Sequence, residues 1–141
     1  MCRAIDIAKY IINRCIDIGR PISNLQLQKI LYYVQGEFMK KNDGETLFQD
    51  NIEAWQYGPV VRDVYYAFNN YSSSNIITRQ DRIELDECVK DIINPVIDSK
   101  SKLSAWDLVK ETHLQFPWQD TYDGTKNKII TEEKMRKFFC N

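Results

Sequence analysis

The stretch that most restricts the fold of this chain is IEAWQYGPVVRDVYYAF, Ile52 to Phe68. Its first half alternates. Ile52, Ala54 and Gln56 would point to one side of a strand, and Glu53, Trp55 and Tyr57 to the other. Its second half has a helical period, with Val61, Val64, Tyr65 and Phe68 at i, i+3, i+4 and i+7. Tyr57-Gly58-Pro59 marks the changeover. Gly58 lets the backbone turn sharply, and Pro59 suits the first position of a helix, where its missing N–H costs nothing. The expectation is an extended segment that feeds directly into a helix.

The flanking sequence is helical in period. Ile5, Ala8, Ile12, Cys15 and Ile16 share one face of a helix over residues 4–18. Gly19 is placed to cap that helix and Pro21 prevents its continuation. Ser23 and Gln26 have the spacing of a capping box. Behind them Leu27, Ile30, Leu31, Val34 and Phe38 line a second helix, which runs to the turn residues Asn42-Asp43-Gly44. Gly36 lies inside it at an intrinsic cost of roughly 1 kcal/mol, so a close-packed neighbour is expected there.

Past the central stretch, NNYSSSN reads as a polar loop. A helix is expected from about Arg82, with Leu85, Cys88, Val89 and Ile92 inward and with Pro95 ending or kinking it. Ser104 and Asp107 resemble an N-cap ahead of AWDLVKETH, and FPWQDTYDGTKNKI reads as irregular. Thr131 caps EEKMRKFF, whose acidic start and basic end complement the helix dipole. The fold class that follows is mainly α: a single compact helical domain over residues 1–141. One or two short β-strands are expected between its second and third helices.

Composition narrows the function. Nineteen Lys and Arg face twenty Asp and Glu, a formal net charge of −1, with both signs interleaved along the chain. A duplex binder neutralises phosphates with a basic stripe. No window has one, so nucleic-acid binding is disfavoured. No apolar run approaches the ~20 residues that a bilayer span needs, and the charged N-terminal stretch makes a poor signal peptide. Cys2, Cys15, Cys88 and Cys140 are scattered, without the close pairs of a zinc or redox motif. The expectation is a cytoplasmic protein with reduced thiols, no cofactor and no metal.

No enzyme signature stands out. The chain lacks a phosphate loop, a GxSxG elbow and an HExxH motif. His113 is the one histidine, and a lone histidine is more often a structural hydrogen-bonding group than a base. Glu53, Arg62 and Asp63 have the charges of an acid–base cluster, but surface ion pairing accounts for them more cheaply. The aromatic side chains have two readings. Trp55, Val61, Val64 and Phe68 fit a core. Tyr57, Arg62 and Tyr66 fit a surface that binds a partner, since Trp, Tyr and Arg dominate binding hot spots.

LQKILYYVQGEF, LFQDNIEAWQYGPVVRDVYYAF, ETHLQFPW and IITEEKMRKFF occur in this order. Together they resemble the Panacea domain family, the SocA-like antitoxins, long labelled phage-associated proteins. The resemblance runs from about Leu25 to Phe139. It implies a non-enzymatic, helical antitoxin that binds and neutralises a cognate protein toxin, and in one branch hands it to a bacterial protease. The alternative is a phage or mobile-element protein that binds a host protein with the same fold. Under either reading Tyr57, Arg62, Asp63, Tyr66 and Asn69 are the expected partner-facing residues. Trp55, Gly58, Pro59, His113 and Trp118 are the expected structural motif, and the polar loop after the aromatic helix is where partner choice is expected to lie.

Overall fold

The computed structural model describes residues 2–125 and 127–141. Helices dominate: α1 Ala4–Asp17, α2 Asn24–Lys41, α3 Arg62–Ala67, α4 Glu87–Lys100, α5 Ala105–His113, α6 Phe116–Gln119 and α7 Glu132–Phe139. Three short strands, β1 Ile52–Trp55, β2 Gly58–Val60 and β3 Lys128–Ile130, form an antiparallel sheet in the order β2-β1-β3. The first two lie between α2 and α3 as expected. The third arrives from the segment between α6 and α7, which has no strand-like alternation in the sequence.

Local signals set the helix ends. Gly19, at φ +77°, closes α1 in a Schellman pattern: Arg20 N–H donates to Cys15 at 2.8 Å and Gly19 N–H to Ile16 at 3.1 Å. The capping box is formed, with Ser23 Oγ accepting from Gln26 N–H and Gln26 Oε1 accepting from Ser23 N–H. Ser104 and Thr131 cap α5 and α7 with the hydroxyl alone, accepting from Asp107 and Lys134 N–H.

α2 is the axis of the molecule. α1, α3, α4, α5, α7 and β2 all pack on it, and residues from Leu27 through Gly36 are buried on every side. Burial on all sides forces its polar side chains to find partners, and they do so by holding irregular backbone. Gln35 Nε2 donates to Phe48 O, and Gln35 Oε1 accepts from Leu47 and Phe48 N–H. One helical face further up, Gln28 Oε1 accepts from Val61 N–H at 2.9 Å, and Asn24 Nδ2 donates to Tyr65 O at 3.0 Å. These amides seat the segment that carries the hairpin and α3. At Gly36 the Phe139 ring of α7 lies so close that a β-carbon would overlap it, which is the close approach that the glycine requires.

Several local expectations are corrected. Pro59 does not open a helix; it lies in β2, opposite Ala54, and α3 begins at Arg62. β2 is an edge strand, where a missing N–H is tolerated. α4 begins at Glu87 rather than near Arg82, and Cys88 is exposed. The preceding segment is held extended against α1, where Asn13 both donates to Gln80 O and accepts from Gln80 N–H. α4 runs on to Lys100 and is not ended by Pro95. The proline stands on the exposed side, as does Asp91, so water can reach the carbonyl that proline leaves without a donor. The irregular region expected at FPWQ is the short helix α6.

Candidate partner-binding face

The turn between β1 and β2 is fixed by side chains from elsewhere in the chain. Trp118 Nε1 donates to Trp55 O at 2.8 Å. His113 Nε2 bonds Gln56 O at 3.0 Å; since a carbonyl only accepts, the proton is on Nε2. The imidazole stacks on the Trp118 indole, with ring centroids 4.0 Å apart, and the indole stacks on Tyr122 at 4.8 Å. A turn leaves carbonyls that no strand can satisfy, and α5 and α6 supply the donors. The HLQFPW and IEAWQYGPV stretches, distant in sequence, are thus two halves of one clamp.

A third donor comes from below. Lys29 of α2 is fully buried, and its Nζ donates to Pro59 O at 2.8 Å. Burial pushes its pKa down to about 7. Gly58, at φ +106°, passes directly over it. A β-carbon there would come within 2.6 Å of Lys29 Cε and 2.8 Å of Thr112 Oγ1. Position 58 therefore needs glycine for its backbone angle and for its space.

On this frame the expected partner-facing residues are all exposed. Tyr57 is 46% exposed at the turn and Tyr66 51% exposed on α3; Arg62, Asp63 and Asn69 are exposed as well. Four of them divide into two groups. Arg62 and Tyr66 stand one turn apart on α3, over Trp55. Glu53 Oε1 accepts from Arg62 Nη2 at 3.0 Å, from Arg62 Nε at 3.3 Å and from Trp55 Nε1 at 2.9 Å. The guanidinium is therefore ion-paired, as the simpler reading of Glu53 and Arg62 holds. Trp55 is buried and its ring meets Tyr65 edge-on at 5.1 Å.

Tyr57 and Asn69 belong to the second group, and both line a cleft of about 670 Å³. Trp55, Tyr57, Tyr65 and Tyr122 give it aromatic surface, while Asn24, Gln28, Gln56, Ser72 and Ser73 give it amides and hydroxyls. Outside its rim Tyr57 meets the edge of Trp106, 57% exposed, at 5.4 Å. Sequence reasoning passed over Lys29, Gln28, Trp106 and Tyr122. For Gln28 a signal existed: Asn24, Gln28 and Gln35 recur at i, i+4 and i+11 on a helix whose middle, Lys29 apart, is otherwise apolar or aromatic. Nothing local marks the others.

What the fold and this face define is a helical protein that displays an aromatic, hydrogen-bonding surface on a rigid hairpin. The family described as "Antitoxin SocA-like, Panacea domain" matches residues 27–119, from α2 through α6, and so takes in both halves of the clamp. The chain belongs to that family. It is similar to antitoxin SocA of Caulobacter vibrioides (strain NA1000 / CB15N), with 29% identity over 131 residues, covering 84% of this chain and 69% of that protein. No solved structure matches it. No helix among the described residues is long and apolar enough to cross a membrane.

Proposed function

We propose that this chain is the antitoxin of a toxin–antitoxin pair, a cytoplasmic single domain that neutralises a cognate protein toxin by binding it directly, without catalysis of its own. Membership of the SocA-like family is the observation that carries this reading. The hairpin and α3 support it from the structure. Exposed tyrosines and a paired arginine on a rigid frame are the groups that give large contact area at low entropic cost. The face comprises Tyr57, Arg62, Asp63, Tyr66 and Asn69.

The test is growth of a host expressing the adjacent open reading frame, with and without this chain. Arrest by the neighbour and rescue by this chain is the expected result; a harmless neighbour would sink the reading in favour of a host target. Arg62→Ala with Tyr66→Ala then maps the face: binding should fall while the melting temperature holds. Blockage and delivery to a protease are told apart by toxin level, which stays constant under blockage and drops when a protease is recruited.

A further inference from the structure

We infer that the cleft between the hairpin turn and the loop at residues 69–73 takes an uncharged segment of the partner polypeptide, anchored by an apolar or aromatic side chain. The inference rests on the antitoxin reading and deepens it. Charge complementarity carries it. Of the whole chain 28% is charged, yet none of the described residues that line this cleft is Asp, Glu, Lys or Arg. A charged group entering it would lose water and meet no counter-charge among the described lining residues, a cost that uncharged groups avoid. The remaining chemistry suits a polypeptide. Aromatic rings at Trp55, Tyr65 and Tyr122 receive an apolar side chain, and the amides and hydroxyls of Gln56, Asn69 and Ser72 are matched to peptide N–H and C=O groups.

The volume of about 670 Å³ lies within the ~300–1,000 Å³ typical of sites that enclose a ligand. The cleft is also built in advance. Its aromatic walls are tied to each other, because Trp118 bonds the carbonyl of Trp55 and stacks on Tyr122. A preformed wall lowers the ordering cost of binding. Tyr57 joins the cleft to Trp106 outside its rim, so the surface continues past the cleft, as a chain segment requires and an enclosed small molecule does not.

The test uses the purified product of the adjacent open reading frame, titrated calorimetrically into the full chain and three variants. Ser73→Trp fills the cleft from an exposed position. Gln56→Lys and Gln56→Glu place opposite charges in its lining, also from an exposed position, without touching the Gln56 carbonyl that His113 holds. The expected result is that all three raise Kd by about tenfold or more, with melting temperatures unchanged. Binding unaltered in the variants would overturn the cleft as the docking site while leaving the antitoxin reading intact. Opposite effects of the two Gln56 changes would show a charged occupant and overturn the inference in its chemistry. No binding by the unaltered chain would remove the antitoxin reading itself, and this inference with it.

Discussion

The indole N–H of Trp118 donates to the carbonyl of Trp55 at 2.8 Å, joining α6 to β1 across 63 residues. The bond explains why the short helix FPWQ is held beside a hairpin that it does not follow in sequence. Phenylalanine at 118 keeps a flat ring for His113 and Tyr122 but removes the donor. Trp118→Phe should cost about 1–3 kcal/mol, the range for a buried carbonyl left without its donor. Urea denaturation should show a lower midpoint with an unchanged slope. A loss within error of zero would mean that the stacking, not the bond, holds the turn.

A second relationship predicts a change of sign. Alanine is a better helix former than glycine by roughly 1 kcal/mol, and Gly36 is within α2. The Phe139 ring occupies the place of its missing side chain. Gly36→Ala should therefore destabilise the native protein. In a Phe139→Ala background, with the ring gone, the same change should stabilise. The double-mutant cycle from thermal unfolding checks this, and additive effects would contradict the close approach.

How much of this was legible beforehand divides by distance along the chain. The Ser23–Gln26 box, the Ser104 and Thr131 caps and the Gly19 closure are made within a few residues, so their spacing declares them. The close neighbour of Gly36 could be expected but not named, since Phe139 arrives from the far end of the chain. Pro59 was legible as punctuation, but whether it opened a helix or lay in an edge strand depended on β1 and on Lys29. β3 pairs Lys128, Ile129 and Ile130 with residues some seventy positions away, and three residues are too few for a period. The start of α4 was misplaced because Asn13 on α1 holds Gln80 extended, a tertiary fact. The exposure of Arg62, Tyr66 and Asn69 followed from helical spacing, whereas alternation puts Tyr57 on the side of the buried Trp55 and the turn exposes it; Trp106 and Tyr122 reach the same surface from elements without such a signal.

The Arg62–Glu53 pair separates binding from folding. The Arg62 side chain is 46% exposed and that of Glu53 only 12%. An exposed member of an ion pair contributes little, so Arg62→Ala should shift stability by less than about 1 kcal/mol. Glu53→Ala takes away the acceptor used by both Arg62 and Trp55 Nε1 and should cost about 1–3 kcal/mol. Melting curves of the two variants side by side check the order. Equal losses would mean that Arg62 is structural, and a binding defect at Arg62 could not then be read as lost contact.

Lys29 gives the molecule a pH dependence with a definite sign. Burial lowers its pKa from an ordinary 10.5 to about 7 in the folded chain, so between these values the unfolded chain binds a proton that the native chain does not. Stability then rises with pH, at up to ~1.4 kcal/mol per unit from this group. Other groups limit the window. Burial raises Cys15 from 9.0 to about 12 and raises Tyr32 and Tyr33 above 10.0. Each of these ionises first in the unfolded chain, so each lowers stability as pH climbs past its ordinary value. The Lys29 contribution is therefore cleanest from about pH 7 to 9. Lys29→Met removes the titrating group and keeps a long side chain under Gly58. The difference in unfolding free energy between the native chain and this variant should increase across that window in favour of the native chain. Parallel pH profiles would show that Lys29 stays charged when buried, with more than the Pro59 carbonyl around its ammonium group.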